Sequence, residues 1–376
     1  MDHYIADLAV LFLGAFVLAY LLEPLVIRSC RALGIVDVPG WRRVHVAPTP
    51  RAGGIVFVPC MALGLFVVYR WFPHLWKEGF IGLGCALLLI TAVGLIDDVN
   101  EMRASIKLLA QFGAGIILYF SGYRLNDMSI PFTHTVIDLS GPDFLITVIG
   151  VAAIINAVNM LDGLDGLAAG SVFIMCGFLF INKVTRGDIA SCAVLVLIGG
   201  ATIGFLRYNF HPARVFMGDT GSMFLGLALA AEVFDAASQG VAVTTILLPL
   251  VILGIPIFDM CQTVFTRYRG SRNIFAADKN HLHHRLLTLG LSHREAVFFI
   301  YGLNIYMGIM ALLYPHVEVA YRALYLIALA LFLLLASFLV AMGHRRNGNG
   351  DGNGEAGIQS NAGDGAETTA GGDGAA

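Results

Sequence analysis

The 376-residue sequence gathers its chemically able side chains into five short stretches. In the first, Asp97 and Asp98 stand side by side at the end of an apolar run, with Glu101 about one turn on. Adjacent carboxylates there are costly unless they meet a cation or a proton. Together the three suit Mg²⁺, a hard cation that takes oxygen ligands and often keeps substrate phosphates as co-ligands. A solvated helix end is the plain alternative. Lys107 follows in the next apolar run, where it either snorkels to the surface or reaches a phosphate.

The second stretch is Asn156-Ala-Val-Asn159-Met-Leu-Asp162-Gly-Leu-Asp165-Gly166. Its polar residues recur every three positions, which predicts one side of a helix end. Amides and carboxylates at that spacing suit a hard cation, a nucleobase or sugar hydroxyls better than they suit loop filler. The third, Phe216-Met-Gly218-Asp219-Thr220-Gly221-Ser222, opens a helix. Helix N-termini favour anions, and Asp219 beside them can hold a cation that bridges to one. An Asp N-cap explains the same residue more simply. No Lys follows the second glycine, so the turn is not a Walker A loop.

The fourth stretch runs from Asp278 through His281-Leu-His283-His284-Arg285. It is rich in donors for phosphate. The histidine spacing and the lack of a nearby cysteine speak against zinc, and a solvated cluster is the alternative. The fifth is the proline-rich basic loop from Val36 to Gly54, which includes His45. A topogenic loop accounts for its arginines but not for its Pro and Gly-Gly pattern. Taken together, acids for a divalent ion, basic groups for phosphates and amides for a polar ligand suit phosphoryl transfer between a soluble phosphate compound and a lipid phosphate.

The elements that must position these groups are membrane helices. The chain is 57% hydrophobic and 13% charged, against about 25% charged for a soluble domain. That excludes an ordinary soluble enzyme. The expected fold is all-α and polytopic, with eleven spans at roughly 7–27, 52–69, 80–96, 106–121, 143–158, 166–182, 189–206, 221–237, 241–261, 295–313 and 320–342. Seventeen Lys and Arg fall on the face after the odd-numbered spans and six on the other. The positive-inside rule therefore predicts an outside N-terminus and a cytoplasmic C-terminus. All five stretches map to the cytoplasmic face, and the outer face is expected to hold no comparable polar cluster.

The net charge of −3 belongs to residues 347–376, which carry five acids, ten Gly and no Lys or Arg. That segment is expected to be a disordered tail, leaving 1–346 as the membrane domain. The six cysteines show no disulfide or zinc spacing. The first apolar block lacks the basic leader and cleavage site of a signal peptide. There is no internal repeat to support an inverted-repeat transporter.

These motifs resemble, in order and from about Val36 to Leu291, those of the polyprenyl-phosphate N-acetylhexosamine-1-phosphate transferases, integral membrane enzymes that start surface-polysaccharide assembly. His281-Leu-His283-His284-Arg285 is similar to the branch that uses UDP-N-acetylglucosamine rather than the muramoyl-pentapeptide branch. The resemblance implies transfer of N-acetylglucosamine 1-phosphate from UDP to undecaprenyl phosphate, with UMP released, in a bacterial inner membrane. It implies Mg²⁺, with Mn²⁺ as a substitute, held by Asn159 and Asp219. It places Asp97, Asp98, Asp162, His283 and His284 in the catalytic group, with Asp97 handling the lipid phosphate. Lys107, Asn156, Asp165, Phe216, His281, Arg285 and His45 become substrate contacts, Phe216 stacking on uracil and Asp165 bonding to uridine. A homodimer is allowed and a nucleic-acid partner is not expected. An aromatic prenyltransferase would leave the histidine loop and the Gly-Asp-Thr-Gly turn without a task. An anion transporter would need deep polar residues, for which Asp259 and Glu232 are the candidates.

Overall fold

A computed structural model describes residues 2–37, 48–125, 127–129, 136–139, 141–238, 244–269 and 281–334. His45, Asp278, Lys279 and the 347–376 segment lie outside these residues.

The described residues form thirteen α-helices, several 3₁₀ turns and two small β pairings. The helices are α1 (Asp2–Ala32), α2 (Phe57–Trp71), α3 (Gly79–Val99), α4 (Ala104–Phe120), α5 (Asp143–Leu161), α6 (Leu167–Thr185), α7 (Ile189–Asn209), α8 (Gly218–Ser238), α9 (Thr244–Ile252), α10 (Gly254–Arg269), α11 (Leu282–Thr288) and α12 (His293–Leu313). The last, α13, is Val319–Leu334. Seven helical segments, α2 counting together with the 3₁₀ turn before it (Gly53–Trp71), are long and apolar enough to cross a membrane. The protein is an all-helical, polytopic membrane protein. Its helices form because a backbone in hydrocarbon must satisfy its own hydrogen bonds.

Each expected span meets a helix, but the ninth is broken. Helix α9 ends at Ile252 and α10 begins at Gly254. Pro256 has no N–H to give to the Ile252 carbonyl, and Gly254 adds its own poor helix propensity. The strands were not expected. The pair Val36–Asp37 and Thr49–Pro50 (β1 and β2) runs antiparallel, closing the basic loop at its base, and a second antiparallel pair joins Asp127–Ser129 (β3) to Val136–Asp138 (β4).

Helix α8 is the centre of the fold. Met223 to Phe234 along it are almost wholly buried, and it packs against α3 and α5. It is therefore buried all round rather than amphipathic, with its acids, Asp219, Glu232 and Asp235, near its two ends. By contrast, α1 turns Ile5, Val10, Leu13, Val17, Leu21 and Leu25 outward, as a lipid-facing helix does.

At the helix ends opposite the five motifs, the expectation of no polar cluster fails. Lys77, Lys183, Asp188, Glu232 and Asp235 meet there in a buried ion network. Their dispersal over four separate stretches of sequence hid it.

Candidate active site

The site is built on the first turn of α8. Gly218 opens it with φ +69, a left-handed conformation that favours glycine. The turn is anchored from α3. The Asp98 carboxylate accepts from the Asp219 amide at 3.0 Å, the Thr220 amide at 3.0 Å and the Thr220 hydroxyl at 2.6 Å. Arg51 pairs with it at 3.5 Å, and the Asp98 side chain is fully buried. The anion at this helix N-terminus is thus supplied by the protein itself. Asp98, not Asp219, satisfies the orphan amides.

The Gly-Gly pattern of the basic loop now has its reason. The Gly53 amide donates to the Phe216 carbonyl and the Gly54 amide to the Met217 carbonyl, each at 2.9 Å. A Cβ on Gly54 would collide with Gly221, and one on Gly94 with the Asp219–Thr220 backbone. The loop and α3 both press on the turn, and only glycine permits the approach. Phe216, half-buried, is held in the same interlock.

Beside this turn lies the reactive cluster. Lys107 Nζ donates to Asp219 Oδ2 at 2.7 Å and to Asp97 Oδ2 at 3.3 Å. Asn159 Nδ2 donates to Asp219 Oδ1 at 3.1 Å and to the Ser222 hydroxyl at 2.9 Å. One carboxylate oxygen each from Asp97, Asp98 and Asp219 lies within 4.8 Å of the other two. The third acid is therefore Asp219 and not Glu101. Helix α3 stops at Val99, and the Met102 amide turns back to Asp97 Oδ1 at 2.8 Å, leaving Glu101 exposed.

The three-residue spacing of the second stretch holds only as far as the helix does. Asn156 and Asn159 lie on α5, and Asp162 is its C-cap. Asn156 sits one turn deeper than Asn159 and exchanges two side-chain hydrogen bonds with Gln111 of α4, at 2.6 and 3.3 Å. Asp162 closes the helix near the cluster. Its carboxyl is pushed up to about 8, chiefly by burial and then by Asp219, Asp98 and Asp165, against a hydrogen bond from the Gly218 amide.

Asp165 lies beyond the helix and is clamped by the α7–α8 loop. Its Oδ2 accepts from the Ala213 amide at 3.1 Å and meets His211 Nδ1 at 2.8 Å. Asn209 ties the same two segments, accepting from the Gly166 amide and donating to the Val215 carbonyl. His293 stacks on His211 with centroids 4.3 Å apart and planes at 20°. Asp165, His211 and His293 therefore gather ligand-type atoms, but two parallel stacked rings cannot both aim an in-plane lone pair at one ion. This is a packed pair rather than a chelate. His211, His293, Asn209 and Gln111 escaped the sequence reading because none stands inside a recognisable motif, and Arg51, inside the basic loop, was read only as one of its arginines.

The histidine stretch packs on the same turn. Asp259 of α10 caps α11, accepting from the Leu282 amide at 2.8 Å and meeting His281 Nδ1 at 3.1 Å. This task accounts for Asp259, and Glu232 belongs to the opposite-end network. His283 lies so close over Gly163 that a Cβ there would strike its ring. Burial first, then His284, holds the His283 imidazole down to about 3, so it is neutral. His284 rests against it at 4.3 Å, and Arg285 is buried on the same short helix.

Acids, a lysine and amides thus gather at one end of a bundle of membrane helices, and the comparisons with known proteins give its class: a transferase. Residues 80–237 match the family model described as glycosyl transferase family 4. The chain is 32% identical over 317 residues to a probable undecaprenyl-phosphate N-acetylglucosaminyl 1-phosphate transferase of Bacillus subtilis, covering 83% of this chain and 86% of that one. It is 35% identical to a decaprenyl-phosphate N-acetylglucosaminephosphotransferase of Mycobacterium leprae, over 81% of this chain and 82% of the other. A phospho-N-acetylmuramoyl-pentapeptide-transferase of Thermoanaerobacter is also 35% identical, over 57% of this chain and 71% of its own length. The chain belongs to glycosyl transferase family 4, the polyprenyl-phosphate N-acetylhexosamine-1-phosphate transferases.

Proposed function

We propose that the protein transfers N-acetylglucosamine 1-phosphate from UDP-N-acetylglucosamine to undecaprenyl phosphate. A new bond joins an oxygen of the lipid phosphate to the sugar-linked phosphorus. The bond from that phosphorus to the bridging oxygen breaks, and UMP leaves. The observation that carries this reading is the Asp97–Lys107–Asp219–Asn159 cluster on a turn gripped by Asp98 and the Gly-Gly loop. The greater reach of the similarity to the N-acetylglucosamine enzymes, 83% and 81% of the chain against 57% for the muramoyl-pentapeptide enzyme, supports the donor.

The oxygen donors fit Mg²⁺. Asp219 and Asp97 offer carboxylate oxygens, and Asn159 lies against Asp219 with an amide oxygen of its own. When bound, the ion supplies charge neutralisation at the donor diphosphate. The chain's own groups do the rest. Lys107, already between two carboxylates, places an ammonium where phosphate charge must be balanced. Asp97 beside it takes any proton carried by the lipid phosphate. Neutral His283, with His281, His284 and Arg285, offers N–H donors to the diphosphate and sugar. Phe216 and Asp165 hold the uridine. Because the nucleophile is already an anion, alignment and charge balance are the main work.

The sidedness of Lys and Arg, seventeen against six, supports eleven crossings with the N-terminus outside and the site at the cytoplasmic face of a bacterial inner membrane. The test is a mass-resolved product assay on purified protein with Mg²⁺ and each UDP-N-acetylhexosamine in turn. Product from UDP-N-acetylglucosamine is expected. Product from only the muramoyl-pentapeptide donor would transfer the protein to the other branch.

A further inference from the structure

The opposite-end ion network has no part in the chemistry above, and its residues come from four elements. Lys77 precedes α3, Lys183 ends α6, Asp188 caps α7 with Ser191 in its first turn, and Glu232 and Asp235 lie near the end of α8. Lys183 Nζ reaches Asp235 at 2.5 Å, Asp188 at 3.0 Å and Glu232 at 3.5 Å. Lys77 Nζ reaches Asp188 at 3.1 Å and Asp235 at 3.0 Å, and also meets the Ser191 hydroxyl. The Ser191 hydroxyl in turn donates to Asp235 at 2.6 Å. Lys183 and Glu232 are each 1% exposed. A cluster this deep and this fully ion-paired costs desolvation that surface pairs avoid.

The other end of each of these helices is the site. Helix α3 ends in Asp97 and Asp98, and α6 starts just after Asp165 and Gly166. Helix α7 ends at Asn209, which ties that turn, and α8 starts with Asp219. Along α8, Asp219 and Asp235 are separated by about 24 Å of straight helix at 1.5 Å per residue. We infer that the Lys77–Lys183–Asp188–Glu232–Asp235 network is a positioning clamp. It sets the axial register of the four helices whose far ends meet at the site, and α8 in particular transmits that register to Asp219. Lys183 at the C-terminal end of α6 and Asp188 at the N-terminus of α7 also oppose their helix dipoles favourably, which locks the ends further. Two ammonium groups face three carboxylates, and Glu232 is the most loosely held of these: its Oε2 has only the 3.5 Å approach of Lys183 and no hydrogen-bond partner among the described residues.

The inference takes the cluster around Asp219 as the working site, as proposed above, but its first readout does not depend on that. Full-length protein in lipid nanodiscs is compared as wild type, Lys183→Met, the charge-matched Lys183→Met/Asp235→Asn, Glu232→Gln and Lys77→Met. Hydrogen exchange is followed at both helix ends and thermal melting is recorded. Lys183→Met is expected to raise exchange several-fold at 97–102 and 217–222, as well as at the near ends. It should cut turnover by about tenfold well below its melting temperature, since misplacing reactive groups by an ångström costs up to about a hundredfold. The charge-matched double variant should recover part of both, and Glu232→Gln should keep both near wild type. If Lys183→Met does not fold, Lys77→Met serves, with a smaller change in the same direction. A lower melting temperature with unchanged exchange at 97–102 and 217–222 and unchanged turnover would overturn the clamp and leave only local packing. Changed exchange at those ends without any transferase activity in the wild type would keep the clamp and discard the proposed function.

Discussion

Asp98→Asn is the perturbation with the clearest structural arithmetic. The wild-type carboxylate is fully buried and accepts from two amides and a hydroxyl of the α8 turn while facing Arg51. Hydrogen bonds to a charged group contribute about 1.5–3 kcal/mol each, and breaking a buried charge constellation costs about 3–5 kcal/mol. Asparagine keeps one oxygen but turns an NH₂ towards donors, so roughly half the acceptance is lost and a repulsive contact is added. The expected loss is about 3–4 kcal/mol of stability. Thr220→Val removes one hydroxyl bond only and is expected to cost about 1–2 kcal/mol. Thermal unfolding in detergent ranks the two variants, and Mn²⁺ binding by electron paramagnetic resonance separates anchoring from ligation. If Asp98→Asn keeps wild-type stability yet abolishes Mn²⁺ binding, Asp98 is a direct ligand and its role as the anchor of the turn is refuted.

Further outcomes follow from the same geometry. Asp219→Ala is expected to abolish turnover and Mn²⁺ binding while the protein still folds, because the Asp98 contacts are to backbone amides and to Thr220; near-normal kcat would remove Asp219 from the site. The Asp162 carboxyl, raised to about 8 from an ordinary value near 4, binds its proton more tightly in the folded state. Its contribution to stability is therefore fully present below about pH 4 and is lost as pH rises towards 8. In metal-free buffer, melting should fall across that window in the wild type and fall less in Asp162→Asn, whereas equal slopes would contradict the assignment. His211→Asn places an amide N–H where Nδ1 meets Asp165, while His211→Phe keeps the stack on His293 and loses that contact. Donor KM should rise more for the phenylalanine variant; the reverse order would mean that stacking, not the Asp165 contact, is what matters.

The helices themselves were legible because hydrocarbon leaves so few alternatives. Apolar runs predicted helices at all eleven expected positions, and the break at Gly254 is written in the flanking Pro256 even though hydropathy averages over it. The site was legible where its members stand inside motifs, as Asp97, Asp98, Asn159 and Asp219 do. It was not legible where a role depends on packing from elsewhere. Glu101 looked like a third acid until the helix ended at Val99, two residues short of it. Asp98 stands beside Asp97 and Asp219 as expected, but its second task, holding the amides at the start of α8, could not be read from its motif. His211 and His293, 82 positions apart, stack only because α12 crosses the α7–α8 loop. The opposite-end network was hidden for the same reason, and two of the six basic residues counted on that face, Lys77 and Lys183, turn out to be committed to ion pairs.

The central claim is tested most directly by incubating the purified chain with UDP-N-acetylglucosamine, undecaprenyl phosphate and Mg²⁺, and identifying the lipid product by mass alongside released UMP. The expected result is one N-acetylglucosaminyl-diphosphoryl-undecaprenol per UMP, absent on chelation and absent in Asp219→Ala. No lipid-linked sugar from this donor, with folded protein and Mg²⁺ present, would contradict it.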